Sequence, residues 1–178
     1  MDPFATLGLP RQYDVELASV EKTHRELSRA LHPDKYAGAG ASERRDSLER
    51  AVAVNEAFRI VRDPVRRAEA LFTLAGVPVG ENVEPKSETF FLMEMLEQRE
   101  ALEVARDARD LAKVRALIRE AEVRAKETET EIGIGFRVGP HDIIPRLVSK
   151  LGNLRFFRRF LEEASAIEES LLDEATKK

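Results

Sequence analysis

The sequence predicts an all-helical protein with an N-terminal helical hairpin and a C-terminal three-helix bundle. Of its 178 residues, 43% are hydrophobic and 35% are charged, a balance that supports a core and argues against global disorder. Apolar positions recur three and four residues apart along much of the chain, which is the spacing of one buried helical face. Between the two parts, residues 76–87 (GVPVGENVEPKS) combine two glycines and two prolines with no helical period, which indicates a linker.

The first predicted domain, 1–75, contains a short element near Phe4 followed by two longer helices. The apolar stripe of the first longer helix, over 16–31, consists of Leu17, Val20, His24, Leu27 and Leu31. Pro33 ends that helix because it disfavours the helical conformation in the preceding residue and lacks an N–H. Ser42 is the expected N-cap of the next helix, 43–62. Asp63 and Pro64 then begin a short helix that runs to about Leu74.

The second predicted domain, 88–178, is an antiparallel three-helix bundle with coiled-coil-like packing. Its first helix covers about 88–106. Its second helix has a heptad seam, formed by Leu111, Val114, Ile118, Ala121, Ala125, Thr128 and Ile132. A glycine-containing loop is expected over 133–142. The third helix follows Pro140 or Pro145 and repeats the spacing with Leu147, Leu151, Leu154, Phe157, Leu161, Ala164, Ile167 and Leu171.

Several classes of function conflict with the composition. The chain has no cysteine, so it can form neither disulfides nor thiolate metal sites. No stretch approaches the length of a membrane span, and the N-terminus lacks the features of a secretory or transit peptide, so we expect a cytoplasmic protein. The net charge is −4, and residues 1–75 hold as many acidic as basic side chains, so nucleic acid is not an expected partner.

We also expect no enzyme activity, no cofactor and no metal. His141 and Asp142 form a dipeptide found in metal-dependent phosphohydrolases, but such sites need more ligands than the other two histidines of this chain can supply. The glycine pairs at Gly38 and Gly133 lack the preceding strand and the following Lys-Ser/Thr of a phosphate-binding loop.

The segment RALHPDKYAG, 29–38, contains the most informative motif. Lys22, Arg25 and Arg29 are spaced to form one cationic stripe on the helix that leads into it. The loop then presents four residues beyond the helix end: His32, Pro33, Asp34 and Lys35. Taken alone, the tripeptide could be an ordinary surface turn and the stripe an ordinary solvated face. His24, on the apolar stripe, is expected to pack rather than to bind a ligand.

Together with VNEAFRIVRDPVRRAE, 54–69, this helix and loop resemble the J-domain of the DnaJ family, whose diagnostic feature is the HPD tripeptide. The resemblance covers about residues 2–75. It implies docking on the ATP-bound form of a DnaK-type chaperone and stimulation of that chaperone's ATP hydrolysis. The residues implied in docking are His32, Pro33, Asp34, Lys22, Arg25, Arg29 and Lys35. Glu26 and Ala30 stand where many J-domains have further basic residues.

The run FFLMEML, 90–96, has six large apolar residues in seven, too many for one helix face to bury. The surplus either packs against the first domain or forms an exposed patch, and the residues leave both outcomes open. An exposed patch would have Leu92, Met93 and Leu96 at its centre and Glu97 and Glu100 at an acidic rim. Phe156 and Phe160, off the seam of the third helix, present the same choice.

A J-domain followed by a helical domain with FLMEMLEQRE, 91–100, resembles the HscB type of co-chaperone over nearly the whole chain. This resemblance implies that the partners are the DnaK-like chaperone HscA and the iron-sulfur cluster scaffold IscU. It implies scaffold binding by Leu92, Met93, Leu96, Glu97, Glu100 and Phe156. The alternative is a general J-domain adaptor that delivers a different protein client to DnaK.

Overall fold

The computed structural model describes residues 1–80, 89–138 and 144–176, and the all-helical prediction is confirmed there, since these ranges contain helices and turns without a strand. The helices are α1 (Pro3–Leu7), α2 (Leu17–Ala30), a 3-10 turn (Pro33–Tyr36), α3 (Ala41–Arg62), α4 (Pro64–Leu74), α5 (Thr89–Asp107), α6 (Leu111–Val138) and α7 (Ile144–Thr176). None of the helices in the described ranges has both the length and the apolar character needed to cross a membrane.

The chain divides into two compact units. The first unit contains Met1–Val79 together with Phe136–Gly139, and the second contains Gly80–Gly135 together with Pro140–Lys178. Residues 81–87 of the predicted linker lie outside the described residues.

Helices α2 and α3 of the first unit form an antiparallel hairpin. The Ser47 hydroxyl donates to the Leu31 carbonyl at 3.3 Å, whereas one end of the His24 ring lies 2.9 Å from the Asn55 side-chain oxygen. Later residues of α3 therefore meet earlier residues of α2. The His24 ring also stacks on Phe58 with ring centroids 4.0 Å apart, so His24 is a packed side chain of the hairpin, as its place on the apolar stripe predicted.

The core of the first unit lies between this hairpin and the short helices α1 and α4. Its buried apolar residues include Phe4, Leu7, Val20, Val54, Ala57, Val61, Val65, Ala68, Leu71 and Phe72. The predicted cap of α4 is confirmed, because one Asp63 carboxylate oxygen accepts from the N–H groups of Val65 and Arg66, each at 2.9 Å. This cap satisfies donors that the first turn of a helix leaves unpaired.

Arg67 has a structural role that periodicity did not reveal. Its side chain is buried, and Nη1 donates to the Val61 carbonyl at 2.8 Å. The guanidinium also lies over the Tyr13 ring, 4.7 Å from its centroid, a cation–π contact. Because Val61 lies in the last turn of α3, the arginine places a positive charge where the helix dipole favours one.

Two sequence predictions about helix ends are wrong. Helix α3 begins at Ala41, and its N-cap is the extended residue Gly40, with no side-chain capping bond; Ser42 therefore lies inside the first turn. Residues 133–138 belong to α6 instead of a loop. A Cβ on Gly135 would overlap the Leu147 side chain, so this glycine allows α7 to approach the helix closely. Residues 139–142 of the predicted loop lie outside the described residues.

In the second unit, α5, α6 and α7 share one core. It consists of Phe91, Met95, Leu102, Ala105, Val114, Leu117, Ala121, Phe157, Phe160 and Ala164. Ion pairs join the helices outside this core, among them Arg99 with Glu163 at 3.0 Å and Arg115 with Glu168 at 2.6 Å. Both pairs are partly exposed to solvent, so apolar burial dominates the stability of the bundle.

The N-cap of α1 generates a stability prediction with a defined pH dependence. Partial burial raises the pKa of the Asp2 carboxyl, but the Ala5 N–H, the Arg11 guanidinium and the Phe4 N–H together lower that pKa below its usual value. Asp2→Ala should reduce the free energy of unfolding by about 1 kcal/mol at neutral pH. Because the folded-state pKa is the lower one, the ionic part of this contribution is complete above the unfolded-state pKa and disappears as the pH falls through the folded-state pKa.

Urea unfolding measured across this pH range checks the prediction. Glu16→Ala is the matched control, since Glu16 is the N-cap of α2 but its side chain makes no capping bond. The control should change the free energy of unfolding by less than about 0.5 kcal/mol. Equal losses for the two variants would contradict the assigned role of Asp2.

Candidate protein-binding sites

The loop after α2 is a compact turn held by its own hydrogen bonds. His32 has an extended backbone and is the N-cap of the 3-10 turn, and its Nδ1 accepts from the Asp34 N–H at 3.3 Å. The Lys35 N–H donates to the His32 carbonyl at 3.0 Å. Pro33 occupies the first position of the turn, where its ring restricts φ. The conformation of the loop is therefore determined locally.

The polar groups of this loop face solvent. The His32 side chain is 59% exposed and the Asp34 side chain 89% exposed. Since Nδ1 accepts a hydrogen bond, the neutral ring carries its proton on Nε2, an assignment that follows from the bonding pattern. The loop thus offers an N–H donor from His32 beside the acceptor oxygens of Asp34. Pro33 and Lys35 are exposed as well.

The predicted cationic stripe is present on α2 and leads to this loop. Lys22, Arg25 and Arg29 are all exposed, and Arg29 lies in the last turn of the helix. Arg25 lies 3.7 Å from the Glu21 carboxylate. For Lys22 and Arg29, the described ranges contain no carboxylate within ion-pair distance. The structure therefore brings the seven predicted chaperone-binding residues onto one helix and the turn that follows it.

Helix α5 divides the apolar run of 90–96 into buried and exposed side chains. Phe91 and Met95 are buried in the bundle core. Leu92, Met93 and Leu96 are exposed, Leu96 by 68%. With about 100° between successive residues, Met93 lies opposite the buried face with Leu96 beside it, whereas Leu92 lies at the flank, about 60° from Met95.

Two carboxylates border these apolar residues. Glu97 and Glu100 are exposed and have no cationic partner within the part of the chain that the structure describes. We call the surface formed by Leu92, Met93, Leu96, Glu97 and Glu100 the α5 patch. The bundle core of the second unit does not include these leucine and methionine side chains. Val104 is also exposed and extends the same face of α5 by one turn beyond Glu100. It follows Glu97 by seven residues, a helical spacing that could have indicated its place on this face.

Phe156 lies on α7 and not on the helix that carries the α5 patch. Its ring is half-buried and packs against the bundle core, with centroid distances of 5.9 Å to Phe91 and 6.2 Å to Phe160. Phe160 is buried. Phe156 therefore meets α5 at Phe91, the residue that precedes Leu92.

An arginine on α6 anchors the helix that carries the patch. Arg124 lies 2.7 Å from the Glu94 carboxylate of α5, and its guanidinium lies 5.3 Å from the ring centroid of Phe157 on α7. Both charged side chains are mostly shielded from solvent, which strengthens the pair relative to a surface ion pair. This contact fixes the rotation of α5 and thereby keeps the α5 patch outward.

Within residues 1–80, 89–138 and 144–176, no group of three or more histidine, cysteine, aspartate or glutamate side chains is placed to hold a metal ion. The His141–Asp142 dipeptide lies outside the described residues.

The hairpin with its HPD turn and the helical second unit together define the fold of a J-domain co-chaperone. Residues 87–165 match the family described as "HSCB C-terminal oligomerisation domain". A co-chaperone protein HscB homolog of Cupriavidus taiwanensis is 36% identical over 150 residues, covering 84% of this chain and 85% of the relative. A second homolog, of Shewanella halifaxensis, is 31% identical over 97% of this chain and all of the relative. The chain belongs to the HscB co-chaperone family.

Solved structures agree with this assignment at the level of the fold. The chaperone HscB of Vibrio cholerae matches with a TM-score of 0.84 and 25% identity, covering 96% of this chain and 99% of that one. Human co-chaperone HscB has the same fold, with a TM-score of 0.82 at 22% identity over 93% of this chain and 81% of that one.

Because Met95 is buried and Leu96 is exposed, substitutions of these two neighbours should affect the stability of the protein to different extents. Met95→Ala removes a core side chain and should lower the free energy of unfolding by about 2–4 kcal/mol. Leu96→Ala removes an exposed side chain and should change it by less than about 0.5 kcal/mol. Chemical denaturation of the two variants in parallel measures both values. A comparable loss in Leu96→Ala would mean that this leucine is part of the core.

Proposed function

We propose that the protein stimulates ATP hydrolysis by a DnaK/HscA-type chaperone and delivers the iron-sulfur scaffold protein IscU to it, which aids iron-sulfur cluster assembly and transfer. The observation that carries the proposal is the exposed HPD turn at the end of an exposed cationic stripe, in a chain of the HscB family. Chaperone docking uses His32, Pro33, Asp34 and Lys35 of the turn with Lys22, Arg25 and Arg29 of the stripe. The protein itself carries out no chemical step.

The HPD turn has its conformation before the chaperone binds. Because Pro33 and the two local hydrogen bonds already hold its conformation, little backbone entropy is lost on docking. The Asp34 carboxylate can accept paired hydrogen bonds donated by an arginine of the chaperone. Such a contact biases the chaperone only if it forms better in one conformational state than in the other. Selectivity for the ATP-bound state would follow from that difference.

The cationic stripe contributes mainly to the encounter. Charges of one sign along α2 attract an acidic partner surface and orient it toward the turn, which raises the association rate more than the final affinity. This contribution falls as salt increases, since exposed charges are screened over about 8 Å at physiological ionic strength.

The α5 patch is the proposed scaffold-binding surface. It combines an exposed apolar centre with two carboxylates at the rim, the usual layout of a protein–protein interface. It suits a partner with an apolar surface bordered by basic groups. Phe156 of α7 is the sixth residue of the proposed scaffold-binding set; it is partly buried and packs against the bundle core, where its ring meets Phe91 of α5.

Delivery then results from two weak contacts made by one chain. With the scaffold on the α5 patch and the chaperone on the HPD turn, the scaffold is held at a high effective concentration beside the peptide-binding site of the chaperone. ATP hydrolysis should therefore rise most when the co-chaperone and the scaffold are both present.

His32→Gln should abolish stimulation of the chaperone ATPase while leaving the helical content and the melting temperature unchanged, because His32 is exposed and its only described contacts lie within the turn. Asp34→Asn should also lose most of the stimulation. Steady-state ATP hydrolysis by purified chaperone, titrated with each variant, measures the effect. Asp173→Asn, which alters an exposed carboxylate of α7, is the matched control and should behave as the parent. Full stimulation by His32→Gln would refute the role of the turn.

Replacing Leu92, Met93 and Leu96 together by Ala should weaken IscU binding by at least about tenfold, since these side chains form the apolar centre of the patch. Isothermal titration calorimetry with purified IscU provides the measurement. The control variant, Val123→Ala/Leu172→Ala, removes exposed apolar side chains elsewhere on the bundle and should bind normally.

Two outcomes of the same titration count against scaffold delivery. Unchanged binding by the triple variant would exclude the α5 patch as the site. A parent protein that stimulates the chaperone but does not bind IscU would instead be a J-domain adaptor for another client.

A further inference from the structure

We infer that Met93 of the α5 patch is an oxidation-sensitive switch for scaffold binding, at which a peroxide converts the thioether to a sulfoxide. This inference rests on the proposed function, because the contact that the switch regulates is the one between the α5 patch and the scaffold. It adds a modification site and a means of regulation to that surface.

The sulfur atoms of this chain all belong to methionines. The sequence contains no cysteine, and its three methionines are Met1, Met93 and Met95. No thiol of this protein therefore competes with the thioethers for an oxidant, and control through a disulfide is excluded. Since a dissolved oxidant must reach the sulfur atom, exposure to solvent decides which methionine reacts.

The two methionines of α5 differ in exposure although they are two residues apart. Met93 is 59% exposed, whereas Met95 is 3% exposed and belongs to the bundle core. An oxidant in the solvent can thus reach Met93 in the folded protein, and the packed core shields Met95 from it. Met1 is also exposed, but it belongs to the first unit and lies outside the α5 patch.

Oxidation changes the polarity of the Met93 side chain without adding a net charge. The sulfur attacks one oxygen of hydrogen peroxide, the O–O bond breaks, and the products are methionine sulfoxide and water. The sulfur loses two electrons and the peroxide gains them. The change is reversible, because a methionine sulfoxide reductase removes the oxygen as water while two thiols are oxidised to a disulfide.

A sulfoxide at position 93 is incompatible with an apolar contact at the centre of the patch. Leu92 and Leu96 are the other apolar residues of that centre. The patch has no side-chain donor for the new oxygen, since ionised Glu97 and Glu100 only accept hydrogen bonds. Water can donate to the sulfoxide in the free protein, but a bound scaffold would exclude that water. The complex would then contain an unsatisfied acceptor in place of an apolar contact, which lowers the affinity.

The fold should tolerate this oxidation. Met93 lies on the side of α5 opposite its buried face, and its side chain is not part of the bundle core. The HPD turn contains no sulfur and belongs to the first unit. Oxidation of Met93 therefore interrupts scaffold binding while the bundle and the chaperone contact are kept, which distinguishes a switch from general oxidative damage.

The test begins with the full-length protein, oxidised on its own. It is treated with hydrogen peroxide, the remaining peroxide is destroyed with catalase, and peptide mass spectrometry locates the added oxygen. Met93 should be oxidised at least about tenfold faster than Met95, because a close-packed core admits little solvent. Equal rates for the two residues in the folded protein would overturn the inference.

Isothermal titration calorimetry with purified IscU then compares each protein before and after oxidation. The Kd of the parent should rise by about tenfold, and methionine sulfoxide reductases with dithiothreitol should restore it. In Met93→Leu, which retains Met1, oxidation should leave the Kd where it was. Each variant is its own reference, so any effect of the leucine on binding itself cancels. Met95→Leu is the matched control and should keep the tenfold shift of the parent.

The outcomes separate the switch from the proposed function. If the parent binds IscU, an unchanged Kd after oxidation, or an equal rise in oxidised Met93→Leu, would overturn the switch and leave scaffold delivery intact. A parent that does not bind IscU before oxidation would remove both. The melting temperature and the stimulation of the chaperone without scaffold should be the same before and after oxidation. A lower melting temperature would make the loss of binding a consequence of unfolding and would also overturn the switch.

Discussion

The antiparallel packing of α2 on α3 is the constraint on which the first unit depends. Val20 of α2 and Val54 and Ala57 of α3 are buried in its core, and the stack of His24 on Phe58 holds the two helices in register at the surface. Pro33 sets where α2 ends, and the register sets where that end lies along α3 and hence where the HPD turn projects. The turn needs few contacts of its own, because the helices on either side of it supply the stability and its local bonds supply the shape.

In the second unit, helix packing determines which apolar side chains of α5 are buried. Helix α5 has more large apolar residues than one core can bury, and the bundle uses only the face that carries Phe91 and Met95. The ion pair between Arg124 and Glu94 makes the alternative rotation of α5 unfavourable, since it would separate a partly shielded charge pair. An exposed apolar face is therefore maintained at little cost to the bundle, and such faces are typical of binding surfaces.

Most of the helices were predictable from local patterns, whereas the residues of both candidate sites were assigned from the family resemblance; the failures have identifiable causes. The stripe from Val20 to Leu31, the seam from Val114 to Ile132 and the Asp63 cap depend on residues close together in sequence. Ser42 was expected to cap α3 because serine favours that position, but Gly40 already has the extended backbone there. Residues 133–138 contain two glycines and were expected to form a loop. In the structure they continue α6, and Gly135 lies directly against the Leu147 side chain of α7, a contact that no local pattern contains.

The sequence by itself determined the helical class, the HPD turn and the cationic stripe, because helix periodicity, proline geometry and charge spacing act within a few residues. Only the tertiary structure decided which apolar side chains remain exposed. Leu96 and Met95 are neighbours with similar hydrophobicity, yet only Met95 is buried. Leu48 and Ser47 are also neighbours, and there the serine is buried and the leucine exposed. Burial depends on which face a packed neighbour covers, and that neighbour comes from a distant part of the chain.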